Sequence, residues 1–452
     1  MDLEGKRLAL LGFGVENRAL GAWLAEHGLS FTLCDGDLAV RTREAPWDDA
    51  VDEWRLGDSA MTGLEDFDIL FRSPGIPPWR PELAAAQQSG ARLSSGIDLF
   101  LSRCPASVVG VTGTKGKGTT ASLLMAILAA ADIPARLGGN IGTPPVTFLD
   151  ELRTEDLVVL ELSSFQLQDL GRSPQGAIVL PVATDHLDHH RTRSEYVEAK
   201  REICRHQDAE GWVLAAAGCS TAMELAGGGG GRQLSFDGAF PVVGDGCWVE
   251  RGQIWWRDGG GAARAVASAA DVRIRGDHNL GNACAAVAVA LLVGASARAV
   301  PVGLQAFAGL PHRLEEVGER AGVLYVNDSL GTTPEAAAAG LRAWTDRRVI
   351  LIAGGSSKGA DFTLLGEVIT AHAAALVTIG QEGPRIAQAA RAADFTGPVD
   401  EDCATMAAAV RVAVARATSG DVVLMSPACA SFGMFASYAE RGEAFRRAVA
   451  IT

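Results

Sequence analysis

The sequence predicts an α/β protein of three domains, and three observations support this. Short apolar runs alternate with helical stretches along the chain, a pattern typical of doubly wound, mostly parallel sheets. Two of these runs lead directly into glycine-rich turns, at residues 12 and 113, and a third set of strands begins after residue 310. We therefore predict domains at residues 1–103, 104–308 and 309–452, the first and third with a Rossmann-like fold.

The composition is that of an ordinary globular protein. Of the 452 residues 48% are hydrophobic and 21% are charged, which excludes a disordered chain. The net charge of -14 argues against nucleic acid as a partner, because nucleic-acid affinity depends on basic surfaces. The apolar runs are too short to span a bilayer and the first residues lack a signal pattern, so we expect a cytoplasmic protein without membrane contact. The eight cysteines are dispersed, which predicts reduced, buried thiols.

The first domain begins with a nucleotide-binding pattern. A strand is predicted at residues 7–12, a helix at 18–27 and a second strand at 30–34. The turn after the first strand contains the first two glycines of a dinucleotide fingerprint, with Asn17 at the third position. This partial match does not decide whether a dinucleotide cofactor binds at the turn. The start of a helix also suits the phosphates of a nucleotide sugar.

The second domain begins with the most specific local motif. A predicted strand leads into the glycine-rich run 112–120, and a helix is predicted from residue 121 to 131. Glycines allow backbone N–H groups to converge on phosphate oxygens, and Lys117 is placed to contact the β- and γ-phosphates of a nucleotide. The central domain is therefore expected to have a P-loop ATPase-type sheet. Gly118 stands where Ser or Thr usually binds Mg²⁺, so Thr119 or other ligands must take that role.

The remaining elements follow the same alternation. Five consecutive glycines at 227–231 predict a flexible surface loop between strands, and an alanine- and valine-rich helix is predicted at 279–293. The further predicted strands are at 157–160, 176–180, 323–326, 349–352, 375–379 and 422–425.

Polar side chains follow two of the central strands. Glu161 ends an apolar strand near the predicted phosphate loop, where a carboxylate can hold a hard cation. Four of the eight histidines fall between residues 186 and 206. Because no paired cysteines accompany them, the sequence gives only weak support for a zinc site. We expect one metal-ligating histidine, His186, with solvated neighbours.

Taken together, the motifs resemble one family, the ATP-dependent Mur ligases of peptidoglycan precursor synthesis. Within it they are similar to the MurD type, which joins glutamate to UDP-N-acetylmuramoyl-L-alanine. The resemblance covers essentially the whole chain, and the order of the motifs is very specific. The matching segments are residues 73–76, 113–117, 139–142, 161–166, 185–188, 196–200, 276–282, 309–315, 327–329 and 426–431.

The resemblance implies a role for each matching residue. The residues implied to bind the UDP-sugar are Gly14, Asp35, Ser73, Asn140, Ser163 and Gln166. Those implied to bind ATP are Gly113, Thr114, Lys115, Gly116, Lys117, Gly118, Thr119, Thr120, Asn282 at adenine, Arg313 at the γ-phosphate and Asp328 at ribose. The implied catalytic residues are Lys117, Glu161, His186 and Lys200.

Lys200 is implied to be carbamylated, as the matching lysine of the family is. A carbamate turns an ammonium into a carboxylate, which helps to bind a second Mg²⁺. The implied cofactors are therefore ATP and two Mg²⁺ ions, with Thr119, Glu161, His186 and carbamylated Lys200 as metal ligands. Two cations among clustered anions suit phosphoryl transfer.

The implied reaction has two steps. The carboxylate of the alanyl sugar attacks the γ-phosphate of ATP, which gives an acyl phosphate and ADP. The amine of glutamate then attacks the acyl phosphate, and phosphate leaves. Lys117, Arg313 and two Mg²⁺ ions provide positioning and charge neutralisation. The expected partners are these small molecules, and the expected state is a monomer.

The implied amino-acid site departs from the family pattern. Its members are Thr332, Lys358, Ser431, Phe432 and Tyr438, the last standing where many members have Phe. The second lysine that many members carry is replaced here by Leu330.

A helix start offers a substitute for that lysine. The run 331–335 predicts an N-cap followed by Pro334 at the first helical position. Such a start, with the hydroxyls of Thr332 and Ser431, can hold a carboxylate. D-glutamate is the expected substrate, and L-glutamate, used by a MurD-like subgroup, is the alternative.

Two other functions stay open. Folylpoly-γ-glutamate synthetases share the ATPase core, but they lack a nucleotide-sugar domain ahead of it. The second alternative is a catalytically inactive nucleotide-sugar sensor, because Gly118 lacks the hydroxyl that usually binds Mg²⁺. Against it, the other catalytic positions carry the expected carboxylate, histidine and lysine side chains. Sustained turnover with the alanyl UDP-sugar distinguishes these possibilities.

Overall fold

Three sheets, each formed from one stretch of the chain, organise the molecule. The computed structural model describes residues 1–42, 48–183, 190–357 and 359–451. The sheets have five, nine and six strands, and most neighbouring strands are parallel, which confirms the α/β class. The chain divides into two compact units, one of Met1–Val272 with Asp277–Phe307 and the other of Arg273–Gly276 with Ala308–Thr452.

The first sheet is entirely parallel. Its elements are β1 (Leu8–Leu11), α1 (Val15–Glu26), β2 (Phe31–Asp35), β3 (Val51–Leu56), β4 (Ile69–Arg72), α2 (Pro81–Gln88), β5 (Arg92–Ser94) and α3 (Gly96–Arg103). The strand order is β3-β2-β1-β4-β5, so the chain turns to opposite sides of the sheet after β1 and after β4. The carboxyl ends of β1 and β4 therefore flank a switch point, where open α/β sheets form a binding crevice.

The second sheet has a parallel half and an antiparallel extension. Its strands are β6 (Ser107–Thr112), β7 (Ala135–Gly139), β8 (Leu157–Glu161), β9 (Gly176–Val179), β10 (Trp212–Ala216), β11 (Arg232–Asp237), β12 (Gly246–Glu250), β13 (Gln253–Arg257) and β14 (Arg264–Ser268). The order is β14-β13-β12-β11-β10-β9-β6-β8-β7, which puts β6 between β9 and β8 in the interior of the parallel part. Its helices are α4 (Lys117–Ala130), α5 (Ser164–Leu167), α6 (Arg193–Arg205), α7 (Ser220–Ala226), α8 (His278–Leu292) and α9 (Ala299–Ala306).

The five-glycine segment differs from its prediction. It joins helix α7 to strand β11, whereas we expected a loop between two strands. A Cβ atom at Gly229 would lie 2.1 Å from the carbonyl oxygen of Cys204, and one at Gly230 would lie 2.8 Å from that of Gln207. The prediction of a connection between strands is therefore wrong, and close packing against the end of α6 explains why the residues are small.

The third sheet lies in the second unit. Its elements are β15 (Glu315–Arg320), β16 (Val323–Asn327), α10 (Pro334–Arg342), β17 (Val349–Gly354), α11 (Thr363–His372), β18 (Ala373–Ile379), α12 (Gly383–Ala392), β19 (Val399–Cys403), α13 (Met406–Arg416), β20 (Val422–Met425) and α14 (Tyr438–Ala450). The order is β15-β16-β20-β17-β18-β19, and only β15 is antiparallel to its neighbour. Apolar side chains form separate core clusters in this unit, one around Trp344 and the other around Phe445.

A four-residue segment, residues 273–276, belongs to the second unit although it precedes α8 in the chain. The guanidinium of Arg275 lies 4.2 Å from the ring centroid of Trp344, and its Nη1 donates to Asp346 at 3.0 Å. These contacts join the segment to the residues that follow α10.

Two general properties of the chain complete the description. Of the eight cysteines, five are buried and three are partly exposed. Within the described ranges, no helix combines the length and the apolar character needed to cross a membrane.

Candidate active site

The glycine-rich run of the second sheet forms a tight turn between β6 and α4. Gly113 has a φ of +149°, and a Cβ there would lie 2.5 Å from the Cβ of Leu180. Gly116 has a φ of +91°, and a Cβ there would lie 2.5 Å from Oδ1 of Asn282. Only glycine fits such close approaches at positive φ. The predicted glycine-rich turn between a strand and a helix is confirmed, and its role in phosphate binding stays a prediction.

Lys117 folds back onto this turn. Its Nζ donates to the carbonyl oxygens of Gly113 at 3.2 Å and Thr114 at 3.1 Å. Because Lys117 is the first residue of α4, its ammonium adds to the positive end of the helix dipole. Lys115 is exposed on the same turn. The arrangement attracts an anion such as a phosphate.

Lys200 approaches the same turn from behind. Lys200 is only 1% exposed. Its Nζ donates to the carbonyl oxygen of Gly113 at 3.0 Å and to Oγ1 of Thr112 at 3.4 Å. The Nζ also lies 4.6 Å from the ring centroid of Tyr196, whose hydroxyl hydrogen-bonds with Oγ1 of Thr114 at 3.0 Å. Lys200, in α6, is therefore a buried lysine that supports the glycine-rich turn and is not exposed to solvent.

Asn282 of α8 packs against the loop. Oγ1 of Thr120 donates to its Oδ1 at 3.3 Å, and its Nδ2 donates to Oδ1 of Asn279 at 2.9 Å. The structure thus brings Asn282 to the predicted phosphate loop. Its assignment to adenine stays a prediction.

Glu161 and Asn140 form a pair at the carboxyl ends of β7 and β8. Nδ2 of Asn140 donates to Oε1 of Glu161 at 2.9 Å, and the backbone N–H of Asn140 donates to the carbonyl oxygen of Glu161 at 2.8 Å. The pairing of β6 with β8 sets Val111 opposite Glu161. The carboxylate therefore lies at the same sheet edge as the phosphate loop.

The donor chemistry of this edge fits Mg²⁺. Glu161 supplies a carboxylate and Thr119, buried in the first turn of α4, supplies a hydroxyl. Mg²⁺ is bound by one or two carboxylates together with substrate phosphates and water, so it requires no larger protein ligand set. Among the described residues, no three His, Cys, Asp or Glu side chains are grouped as metal ligands. His186 lies outside the described residues, so its predicted role stays a prediction.

Ser163 and Gln166 hold one another at the start of α5. The backbone N–H of Gln166 donates to Oγ of Ser163 at 3.2 Å, and that of Ser163 donates to Oε1 of Gln166 at 2.9 Å. This reciprocal arrangement is a capping box. Nε2 of Gln166 donates to Glu16 of α1, which links the second sheet to the first.

His190 contradicts the expectation that the histidines near His186 are solvated. Its side chain is buried, its Nε2 hydrogen-bonds with Oγ of Ser164 at 2.9 Å, and its ring stacks on Phe165. Burial here follows from partners more than 20 positions away, which the local spacing of the histidines does not indicate.

The predicted UDP-sugar residues of the first sheet meet at its switch point. Gly14 is the N-cap of α1, and a Cβ there would lie 3.2 Å from Oγ of Ser73, which follows β4. The backbone N–H of Phe13 donates to Oδ2 of Asp35 at 2.6 Å. The structure therefore brings Gly14, Asp35 and Ser73 to one edge of the sheet.

Asn17 explains the missing third glycine of the fingerprint. Its buried Nδ2 donates to the carbonyl oxygens of Leu11 at 2.9 Å, Gly12 at 3.0 Å and Phe71 at 3.1 Å. The amide joins the ends of β1 and β4 across the switch point, which a glycine cannot do.

The second unit contains the other predicted nucleotide residues. Oγ of Ser426 donates to Oδ2 of Asp328 at 2.6 Å, and the backbone N–H of Leu314 donates to Oδ1 at 3.2 Å. Burial raises the pKa of Asp328 to about 6, against the weaker lowering effects of these bonds and of Arg313. The structure brings Asp328 and Arg313 together, and their ribose and γ-phosphate roles stay predictions.

Sequence reasoning missed Arg441, a fully buried arginine of α14. Its Nε donates to Oγ of Ser329 at 3.0 Å, its Nη2 to the carbonyl oxygen of Ser329 at 2.9 Å and its Nη1 to that of Cys429 at 3.0 Å. Burial lowers its pKa to about 10. It joins the segments after β16 and β20, on which the predicted residues Thr332 and Ser431 lie.

The predicted amino-acid residues fall near the start of α10 or on the segment after β20. Oγ1 of Thr333 accepts from the backbone N–H of Ala336 at 3.3 Å and Pro334 opens the helix, which confirms the predicted cap. Ser431 is buried, whereas Phe432 and Tyr438 are exposed by 64% and 44%. Lys358 lies outside the described residues.

A cavity of about 240 Å³ opens beside this helix start. Its polar lining includes Thr332, Ser356 and the carboxylates of Glu335, Asp361 and Glu382. Glu382 is buried and pairs with Arg385 at 2.6 Å.

Comparisons with known proteins match the whole chain. Residues 111–290 match a family model described as the Mur ligase middle domain, and residues 312–429 match one described as the Mur ligase, glutamate ligase domain. A relative from Symbiobacterium thermophilum, named UDP-N-acetylmuramoylalanine--D-glutamate ligase, is 39% identical and covers 98% of both chains. Seven further curated relatives, 31 to 36% identical, carry the same name.

Two solved structures share the fold. UDP-N-acetylmuramate-alanine ligase MurC from Thermotoga maritima aligns with a TM-score of 0.60 at 16% identity, over 99% of both chains. MurF ligase from Thermotoga maritima, in complex with ADP, aligns with a TM-score of 0.55 at 18% identity, over 93% of this chain and 89% of its own.

Proposed function

Since the chain belongs to the Mur ligase family, we propose that it is an ATP-dependent ligase that joins D-glutamate to UDP-N-acetylmuramoyl-L-alanine. The observation that carries this proposal is the placement of Glu161 opposite Val111, beside the turn on which Lys117 and Lys200 converge. A phosphate loop, a carboxylate and two lysines at one sheet edge are what phosphoryl transfer to a substrate carboxylate requires. The shared name of the curated relatives supports the substrates.

The first step is the transfer of the γ-phosphoryl group. The phosphates of ATP bind along residues 113–120, where Lys117 and the first N–H groups of α4 offset their charge. The carboxylate of the alanyl sugar attacks the γ-phosphorus, the bond to the β-phosphate oxygen breaks, and ADP leaves. Positioning and electrostatic stabilisation supply most of the catalysis in such transfers.

The second step forms the amide bond. The amine of glutamate attacks the acyl phosphate carbon, inorganic phosphate leaves, and the amine loses a proton. The start of α10 with Thr332, together with Ser431 and Lys358, is proposed to bind the carboxylates of glutamate. A buried carboxylate needs such donors, because an unpaired one is costly to desolvate.

Two Mg²⁺ ions are proposed to assist the first step. When bound, they neutralise phosphate charge and act as Lewis acids. Thr119, Glu161, His186 and carbamylated Lys200 are proposed to hold them.

The environment of Lys200 supports the carbamate. Carbamylation leaves one N–H on the lysine nitrogen, so its hydrogen bond to Gly113 can persist. It also replaces the buried ammonium with an anion, so a cation such as Mg²⁺ would have to lie beside it, because a buried charge without a partner is unfavourable.

The proposal also specifies which isomer of glutamate the enzyme uses. Leu330 in place of a lysine alters the pocket, and L-glutamate is the alternative substrate. The name of the relatives, which specifies D-glutamate, favours the D isomer.

Competition between isomers tests the proposal. The enzyme is incubated with ATP, Mg²⁺, UDP-N-acetylmuramoyl-L-alanine and equal concentrations of D- and L-glutamate, and the products are separated by chiral analysis after hydrolysis. We expect ADP release coupled to D-glutamate incorporation. Preferential L-glutamate incorporation would correct the isomer, and the absence of any turnover would contradict the ligase assignment and favour the sensor.

A further inference from the structure

Arg72, the last residue of β4, connects the first sheet to the second. Its side chain is fully buried, and its Nη2 lies 2.7 Å from Oδ2 of Asp169, whose side chain is 2% exposed. Its Nε donates to the same oxygen at 2.8 Å. The two residues are separated by 97 positions in the sequence, so the ion pair joins two domains of the proposed division.

The same guanidinium holds a segment on each side. Its Nη2 donates to the carbonyl oxygen of Phe165, in α5, at 3.0 Å. On the other side, its Nη1 donates to the carbonyl oxygen of Ile76, and more weakly to that of Ser73 at 3.4 Å. One planar group therefore fixes the turn 73–76 relative to the start of α5.

A second contact joins the first and second sheets close to Arg72. Glu16, in the first turn of α1, accepts a hydrogen bond from Nε2 of Gln166. Burial raises the pKa of Glu16, and it raises that of Asp169 to about 6, while Arg72 opposes both shifts. The buried carboxylate of Asp169 and the partly buried carboxylate of Glu16 thus share the field of one guanidinium.

Stability alone does not account for this arrangement. In a buried ion pair, the cost of removing both charges from water cancels much of the favourable Coulomb attraction. An apolar pair of the same shape therefore often stabilises a fold equally well. An arginine fork, in contrast, fixes the direction of several acceptors at once. The segments it fixes are those that face the switch-point crevice and the capping box of Ser163.

We propose that Arg72 is a positioning residue for the nucleotide sugar: it holds the turn 73–76, which lies at the crevice of the first sheet, in register with the segment 163–166 of the second. This inference rests on the proposed function, which assigns the UDP-sugar to these two segments. Arg72 touches no reacting atom, and it acts through the backbone of the two segments. A ligand that spans both segments binds well only while their spacing is fixed.

The test is the variant Arg72→Lys, which keeps the charge but replaces the fork with one ammonium group. Affinity for UDP-N-acetylmuramoyl-L-alanine is measured by calorimetry without ATP, and KM values are measured for all three substrates. We expect UDP-sugar binding to weaken about tenfold, its KM to rise equally, and kcat and the KM for ATP to stay within about twofold. Arg92→Lys is the matched control, because Arg92 lies on β5 and pairs with Asp98 at 2.8 Å.

Each result decides the proposal. A lowered melting temperature with unchanged UDP-sugar affinity would show a purely structural role. If Arg72→Lys does not fold, Asp169→Asn, which keeps the arginine, is expected to weaken UDP-sugar binding selectively; failure of both variants to fold would also overturn the proposal. If the wild-type enzyme itself does not bind the UDP-sugar, the proposed function fails and not this inference alone.

Discussion

Two lysines from different helices donate to one backbone oxygen. Lys117 and Lys200 both contact the carbonyl of Gly113, at 3.2 and 3.0 Å. Two ammonium groups that share an acceptor repel each other, and burial strengthens this repulsion because screening by water is reduced. Conversion of Lys200 into a carbamate replaces the repulsion with attraction. The two lysines therefore invite separate tests.

We expect Lys117→Ala to lower ATP turnover at least about 100-fold, because it removes the principal cation at the phosphates. Affinity for the UDP-sugar is expected to stay within about twofold, since Lys117 is not among the residues proposed to bind the UDP-sugar. Turnover is measured by ADP release and affinity by calorimetry. A parallel loss of UDP-sugar affinity would contradict the assignment of Lys117 to the ATP phosphates alone.

Lys200→Ala is expected to lose activity and to regain part of it in acetate or formate, because a small carboxylate can replace the carbamate. Lys117→Ala is the control and should show no rescue, since it lacks a cation. Initial rates are compared across carboxylate concentrations. An unmodified ammonium at Lys200 in a crystal with Mg²⁺ and substrates would count against carbamylation.

Asp328 predicts a pH dependence of stability. Burial raises its pKa from 3.8 to about 6, so between these values the native protein keeps a proton that the unfolded chain has released. The stability from this proton is present below about pH 4 and is lost as the pH rises through 6.

We therefore expect the free energy of unfolding of the wild type, relative to Asp328→Asn, to fall by roughly 2 to 3 kcal/mol between about pH 4 and 7. Urea titrations at each pH measure it. Asp346→Asn is the control, because Asp346 is exposed in the same unit and its pKa is lowered. A relative stability that rises with pH would contradict the assignment.

At the scale of elements, the start of α10 separates stability from binding. Both Thr332 and Thr333 line the adjacent cavity, and Thr333 is the residue whose side chain caps the helix. We expect Thr333→Ala to destabilise the protein by about 1 kcal/mol, through the loss of a cap. Thr332→Ala is expected to raise the KM for glutamate about fivefold without this loss of stability. Urea unfolding and steady-state kinetics compare them, and a reversed pattern would exchange the roles of the two threonines.

The predicted elements succeed where the sequence pattern is local. Fully buried parallel strands are apolar along their whole length, so β9 and β20 are predicted to within one residue. Helices α1 and α4 begin three and four residues before the predicted starts, because their first turns contain the polar or glycine residues of phosphate-type turns. The strands β12 to β14, which form the antiparallel extension, were not predicted, since the apolar run in each of them is only three residues long.

The candidate site divides in the same way. The phosphate loop and the α10 cap are contiguous in sequence, so their chemistry is visible without a structure. The contacts of Arg72, His190 and Arg441 join residues distant in the chain, and no local pattern encodes them. A buried charged residue is indistinguishable from an exposed one until its partners are known.

At the scale of the whole molecule, the cysteines predict a reactivity pattern. Five are buried, and burial raises the pKa values of Cys34 to about 12 and Cys204 to about 11, which disfavours the reactive thiolate. We expect a thiol reagent at pH 8 to modify at most three cysteines of the native protein rapidly and all eight after denaturation. Absorbance of the released thiol counts them. Rapid modification of more than three would contradict the burial of the other five.

The four residues 273–276 have a consequence for gene fusion. Because Arg275 contacts Trp344 and Asp346 while the following residues 277–307 belong to the first unit, no single cut in the chain separates the two units. A chimera that exchanges everything after residue 307 with a relative keeps Arg275 but loses both of its own partners. A single crossover at residue 307 therefore separates Arg275 from its own partners. An exchange of the complete second unit needs two further crossovers, one on each side of residues 273–276.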